Sequence, residues 1–230
     1  MAPVTPLLRV PLFAGLRPPE LEEIARRLVP RLYRRGQVVF HQGDPGGCLY
    51  IIERGSVKVS LLSETGEEAL LAIMGAGDFF GELALIDGQP RSATVIALAD
   101  TRACTLDHQS FLAFFGASPE AAVAVCGALA ARLRQMNQRF AEVISLDLPG
   151  RLAKCLLELA ERNGEAVAEG VAFELPLSQR EIGELVGASR QSVNRALAQW
   201  EHLGLLRRRH RRIVLVRPDA LQRRIVPRLS

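Results

Sequence analysis

The chain has 230 residues and a formal net charge of +4; 48% of its residues are hydrophobic and 23% charged, the balance of an ordinary folded protein of one large or two modest domains. No apolar run nears the roughly 20 residues that a membrane helix needs, and Met1 to Pro11 lacks the basic and apolar regions of a secretory signal, so a cytoplasmic protein with no membrane partner is expected. The four cysteines form no CxxC pair and the four histidines no HxH or HExxH spacing, which argues against a metal, a disulfide framework and metal-dependent catalysis; the cysteines are expected to be buried thiols.

In chain order, a helix is expected over Pro18 to Leu28. From about Arg31 to Leu106 follow short β-rich runs, among them Gln37 to His41, Leu49 to Glu53, Ser56 to Ser60 and Ala93 to Ala97, with glycines in or beside the gaps. That spacing predicts an antiparallel β-roll or sandwich. Within it lies Gly77 to Val95, the most informative stretch. The turn Gly81, Glu82, Leu83, Ala84 can present backbone N–H groups to an anion, Arg91 offers a planar fork for phosphate oxygens, and Ser92 adds a hydroxyl. Glu82 would repel a phosphate, so its expected role is to accept from a sugar hydroxyl; phosphate and sugar together mean a nucleotide. A salt bridge among these residues with no ligand is the alternative.

Ser118, Pro119 and Glu120 start a long helix that runs to about Leu146. Cys126, Leu129, Leu133, Met136, Phe140 and Val143 recur at spacings of three and four, a coiled-coil seam fit for a symmetric dimer. Such a helix packed on its own β-roll is the competing possibility. Asp147 to Arg151 is read as a break and hinge, Arg151 to Arg162 as a helix, and Asn163 to Glu174 as a loop or small hairpin. The domains expected are 1–117, 118–147 and 148–230.

From residue 176 onward twelve Lys or Arg stand against four Asp or Glu, a net +8 that leaves −4 for the first 175 residues. A basic tail on a slightly acidic body points to DNA. Ser178 and Glu181 form a capping box for a helix Gln179 to Val186, Gly187 turns the chain, and Ser189 caps a second helix from Arg190 to about Leu203, ended by Gly204. This is a helix-turn-helix. Arg190, Gln191, Asn194 and Arg195 occupy the part of the second helix that reaches base edges, while Val193, Leu197 and Trp200 form its apolar stripe. Strands Leu205 to Arg209 and Ile213 to Val216 make a wing whose Arg207, Arg208, Arg209, Arg211 and Arg212 are expected to meet phosphates. Ser178, Gln179, Ser189 and Ser192 complete the residues expected at the DNA.

The phrases FGELALIDGQPRSATV, LDLPGR and LSQREIGELVGASRQSVNRAL, with the long helix between the first two, resemble the cyclic-AMP receptor protein branch of the CRP/FNR transcription-regulator family over nearly the whole chain. The resemblance implies an α+β protein: an N-terminal antiparallel β-roll of the cyclic-nucleotide-binding jelly-roll type, a long dimerisation helix and a C-terminal winged helix-turn-helix. It further implies a homodimer on a palindromic operator in double-stranded DNA, RNA polymerase as a partner, and no enzymatic activity. Residues matching Glu82, Arg91 and Ser92 bind ribose hydroxyl and cyclic phosphate in that family, and those matching Arg190, Gln191 and Arg195 read bases. The implied effector is a cyclic nucleotide, cyclic AMP first and cyclic GMP second. Two positions depart: Met136 and Asn137 stand where a threonine and a serine meet the purine, and Gln191 stands where a glutamate helps read the half-site TGTGA. A cyclic di-nucleotide or haem effector (Cys104 and His108 being the nearest haem ligands), a ligand-independent regulator and a cupin-type enzyme are the remaining alternatives.

Overall fold

A computed structural model of the chain describes residues 10, 13, 17–62, 68–117, 119–175, 177–209 and 212–225. Ser118, expected to cap the long helix, and Arg211 lie outside the described residues. The chain separates into two compact units, 1–134 and 135–230.

The first unit opens with α1 (Pro18–Arg27), then β1 (Val29–Tyr33), β2 (Val38–Phe40), β3 (Cys48–Arg54), β4 (Ser56–Leu62), β5 (Glu68–Gly75), β6 (Phe79–Phe80), α2 (Leu83–Asp87), β7 (Thr94–Ala97), β8 (Thr101–Asp107) and α3 (His108–Ala117). The strands form two four-stranded antiparallel sheets, ordered β1-β8-β3-β6 and β2-β7-β4-β5. The antiparallel roll expected from the sequence is present. β3 shows why it closes. Leu49 and Ile51 join Phe79, Leu106 and residues of the helices in one core, whereas Tyr50 and Ile52 on the opposite face join Val57, Phe80 and Val95 of the second core. A strand buried on both faces reads as an unbroken apolar run, as this one does.

α4 (Pro119–Ser145) is 27 residues long, about 40 Å at 1.5 Å per residue, and the boundary between the units falls within it. Its early turns use Val125, Ala128 and Leu129 to cover the roll's helical core. Leu133, Met136, Phe140 and Val143 are exposed, Phe140 by 70%. The seam is therefore divided: Leu129 packs within the chain, while Leu133, Met136, Phe140 and Val143 have no cover among the described residues. Cys126, expected to be buried, is exposed because it lies on the side of α4 that the core leaves open; Cys104 and Cys155 are buried and Cys48 half-buried.

The second unit continues with α5 (Leu148–Asn163), β9 (Glu165–Val167), β10 (Gly170–Glu174), α6 (Gln179–Val186), α7 (Arg190–His202), β11 (Leu206–Arg209), β12 (Arg212–Leu215) and α8 (Pro218–Gln222). Pro149 and Gly150, read from the sequence as helix breakers, lie inside the first turn of α5. Proline is tolerated there, and the Asp147 side chain caps the turn by accepting from the Gly150 N–H at 2.8 Å. The expected small hairpin is β9–β10, and it is not separate from the wing: one sheet is ordered β11-β12-β10-β9.

Candidate ligand pocket and nucleic-acid interface

Within the first unit, Gly81 and Arg91 are brought together although ten residues separate them. Arg91 is 4% exposed, and its guanidinium donates from Nη1 to the Gly81 carbonyl and from Nη2 to the Cys48 carbonyl, each at 2.8 Å. It lies 4.2 Å from the centre of the Phe40 ring and 5.6 Å from that of Tyr50, a cation–π wall. The backbone is pinned as well: the Arg91 N–H donates to the Asp44 carbonyl at 2.9 Å, and the Arg91 carbonyl accepts from the Gly43 N–H at 2.9 Å. Gly81 has φ of +84°, and a Cβ there would stand 2.5 Å from Nη1, so glycine is what allows the carbonyl to reach the guanidinium.

The cradle is made of neutral oxygens. Nε of Arg91 is buried without a hydrogen-bond partner, and among the described residues no carboxylate pairs with the guanidinium. A buried cation that is neither paired nor fully hydrogen-bonded is costly, and an anion with two or more oxygens would offset that cost. Ser92 follows directly and is exposed.

Glu82 is 3% exposed and does not pair with Arg91. Its Oε1 meets Nη1 of Arg132, on α4, at 2.5 Å; Arg132 also donates from Nη2 to the Phe79 carbonyl and stacks 4.4 Å from the Phe79 ring centre. The salt bridge considered from the sequence, Glu82 with Arg91, is replaced by one whose partner the sequence reading missed. Arg132 carried no local signal, because 50 residues separate it from Glu82. Leu83, exposed, and Ala84, buried, open α2, which follows Glu82. Met136 and Asn137 are exposed on α4 and belong to the second unit. Cys104, named as a possible haem ligand, donates its thiol to Glu53 at 3.2 Å, and burial pushes its pKa up to about 12.

In the second unit the two-helix motif is built by local chemistry. Ser178 Oγ accepts from the Glu181 N–H at 3.2 Å and the Ser178 N–H donates to Glu181 Oε2 at 2.8 Å, so the expected capping box is formed. Gly187 turns the chain with φ of +67°, and Ser189 Oγ accepts from the Ser192 N–H at 3.2 Å to cap α7. Val193, Leu197 and Trp200 are buried, leaving Arg190, Gln191, Asn194 and Arg195 exposed together, as the helical period requires.

The wing departs from expectation. Arg207 pairs with Glu169 at 2.5 Å and Arg212 pairs with Glu165, both from the β9–β10 side of the shared sheet. Arg208 turns toward α7: Nε and Nη2 donate to Glu201 Oε2 at 3.0 and 2.8 Å, and Nη1 to Asn194 Oδ1 at 3.3 Å. These bonds hold the Glu201 carboxyl below its usual pKa. Arg209 is exposed with no ion pair among the described residues. Arg151 was also missed as a structural link: it donates to the carbonyls of Leu146 at 2.8 Å, Val186 at 2.7 Å and Gly187 at 3.3 Å, tying the start of α5 to the end of α6.

Residues 30–118 match the cyclic nucleotide-binding domain and residues 150–224 the Crp-like helix-turn-helix domain. The chain is similar to a CRP-like cAMP-activated global transcriptional regulator of Mycobacterium tuberculosis, 38% identical over 218 residues that cover 95% of this chain and 97% of that one. It is similar also to the cyclic AMP receptor protein of Thermus thermophilus, 32% identical over 86% of this chain and 88% of that one. Among solved structures, FixK2 of Bradyrhizobium japonicum superposes with a TM-score of 0.75 at 26% identity, covering 85% of this chain and 96% of that one. The c-di-GMP responsive global regulator CLP of Xanthomonas campestris reaches a TM-score of 0.75 at 25% identity, covering 86% and 99%. With both domain matches in order along the chain and relatives of this identity spanning nearly their full lengths, the chain belongs to the CRP/FNR family of transcription regulators.

Proposed function

We propose that cyclic AMP is the effector of this regulator, with cyclic GMP the second choice, and that its phosphate is held by Arg91 and Ser92. The observation that carries this reading is the buried Arg91 guanidinium, cradled by two carbonyls with Nε unpartnered. The carboxylate of Glu82, steadied by Arg132 through Oε1, accepts from the ribose hydroxyl, and the backbone of Gly81, Leu83 and Ala84 lines the same anion site. Met136 and Asn137 stand at the positions that meet the purine in the family. The exposed part of the α4 seam forms a homodimer. The functional segments are then 1–117 for the ligand, 118–147 for dimerisation and 148–230 for DNA.

On the DNA side, Arg190, Gln191, Asn194 and Arg195 read base edges in the major groove of a palindrome related to TGTGA and its complement. Ser178, Gln179, Ser189, Ser192, Arg209 and Arg211 meet the backbone. RNA polymerase is the further partner, and the cytoplasm the place of action. Calorimetric titration with cyclic AMP, cyclic GMP and cyclic di-GMP tests the effector. Cyclic AMP is expected to bind most tightly, and operator affinity is expected to rise with it by a coupling of about 1 to 3 kcal/mol. The CLP likeness makes cyclic di-GMP the informative competitor, and tighter binding of that ligand would replace this reading.

A further inference from the structure

Asn194 lies on the exposed first turns of α7, and its amide is not free to turn. Arg208 Nη1 and Gln179 Nε2 both donate to Asn194 Oδ1, each at 3.3 Å. A guanidinium can only donate, so the atom it meets is the amide oxygen, and an amide oxygen has two lone pairs. Both are occupied. Arg208 is itself fixed, since Glu201 accepts from its Nε and Nη2 at 3.0 and 2.8 Å and from its backbone N–H at 3.1 Å. What remains on Asn194 is the Nδ2 amino group, with two donors and no acceptor.

We infer that Arg208 is a positioning residue which makes Asn194 a donor-only reader, so that the base facing Asn194 is a keto base, guanine through O6 and N7 or thymine through O4, in preference to adenine, whose N7 acceptor stands beside the N6 amino donor. The inference rests on the reading of α7 as the recognition helix. An asparagine holds adenine by donating to N7 and accepting from N6 together, which requires the oxygen that Arg208 and Gln179 occupy. The wing thus contributes to sequence choice without touching a base. Loss of the Arg208 guanidinium returns a lone pair to Asn194, and the amide can then turn to meet adenine.

Binding selection from random DNA tests this, using the full chain with cyclic AMP present and Arg208→Ala, Arg208→Lys, Asn194→Ala and Arg195→Ala beside the wild type. At one position of each half-site the wild type is expected to select G or T, and Asn194→Ala to lose that preference. Arg208→Ala should move the same position toward A by at least about fivefold, the low end of what one bidentate base contact discriminates. Arg208→Lys should behave like Arg208→Ala, because an ammonium cannot hold Glu201 and Asn194 at once through a fixed fork. Should Arg208→Ala fail to fold, Glu201→Gln removes the charge that holds Arg208 and carries the same expectation. Adenine selected by the wild type at the Asn194-dependent position, or one motif shared by wild type and the Arg208 variants, overturns the inference. An Arg195→Ala variant that also keeps the wild-type motif would bring down the recognition-helix reading itself; if Arg195→Ala loses it while Arg208→Ala does not, only the role of Arg208 falls.

Discussion

Arg91 in the roll and Arg208 in the wing are both held firmly by oxygens, yet the two cradles leave their charges in opposite states. Arg91 meets two neutral carbonyls and keeps its full positive charge, buried, with Nε unpartnered. Arg208 meets the Glu201 carboxylate and the Asn194 amide, so its charge is cancelled and three of its five side-chain N–H donors are used. A carbonyl orients a guanidinium without neutralising it, and a site of that kind is prepared for an anionic ligand; a carboxylate does both and leaves only a mechanical role. The arginine inside the strongly basic run is therefore the less available of the two for a phosphate.

The sharpest break of that comparison is Arg91→Ala against Arg208→Ala in ligand binding. Removing Arg91 should weaken cyclic AMP by about 100-fold or more, since hydrogen bonds to charged groups contribute roughly 1.5 to 3 kcal/mol each and more than one is lost. Arg208→Ala should leave calorimetric affinity within threefold of wild type. Equal losses in the two variants would mean that the cradles do not differ as described.

Next in size is the exposed seam of α4. Phe140→Asp places a charge where about 2 kcal/mol of apolar burial per protomer is expected, so the dimer should weaken by more than tenfold in sedimentation velocity, and operator affinity should fall with it. A dimer of undiminished strength would place the interface elsewhere.

A smaller, local effect is expected from Gln191→Glu. The carboxylate accepts from cytosine N4 where the amide serves adenine as well, so one base pair should gain stricter preference by up to about 1 to 3 kcal/mol, read by selection from random DNA. The other positions should not move, and identical motifs would show that Gln191 faces no base.

An effect on stability alone concerns two buried thiols. Burial lifts Cys104 and Cys155 from an ordinary value of 9.0 to about 12, with the Glu53 carboxylate adding to the shift at Cys104. A raised thiol pKa keeps the proton in the folded state, so its contribution is complete below pH 9 and declines as pH rises from 9 toward 12, where only the unfolded chain is ionised. Chemical denaturation at pH 8 and pH 10 should show lower stability at the higher pH, and a Cys104→Ser, Cys155→Ser double variant should show a shallower fall. In the native protein at pH 8 both thiols should resist a disulfide reagent that modifies the unfolded chain.

What the sequence determined by itself is whatever closes within a turn or two of chain. The bounds of α6, the start of α7, the left-handed turn at Gly187 and the exposed set Arg190, Gln191, Asn194 and Arg195 follow from capping oxygens, a glycine and helical period, all acting over three or four residues. The Gly81 to Ser92 stretch was legible only as a string of residue types suited to phosphate and sugar; that Arg91 meets the Gly81 carbonyl ten positions away, and the Cys48 carbonyl, is not local. β1 was not, because its Pro30 argues against a strand; it survives as an edge strand paired only to β8. β5, with the run Glu68–Gly75 rich in alanine, leucine and methionine, is a strand because β4 pairs with it, a case of neighbours deciding over propensity. Tertiary structure alone decided which charges are cancelled and which are not: Arg132 reaches Glu82 across 50 residues and Arg207 reaches Glu169 across 38, whereas Arg91 meets the neutral Cys48 carbonyl across 43. Charge pairing acts through space and depends on what is desolvated beside it, so the pattern that names a residue as basic cannot say whether the folded chain leaves that charge for a ligand or spends it on itself.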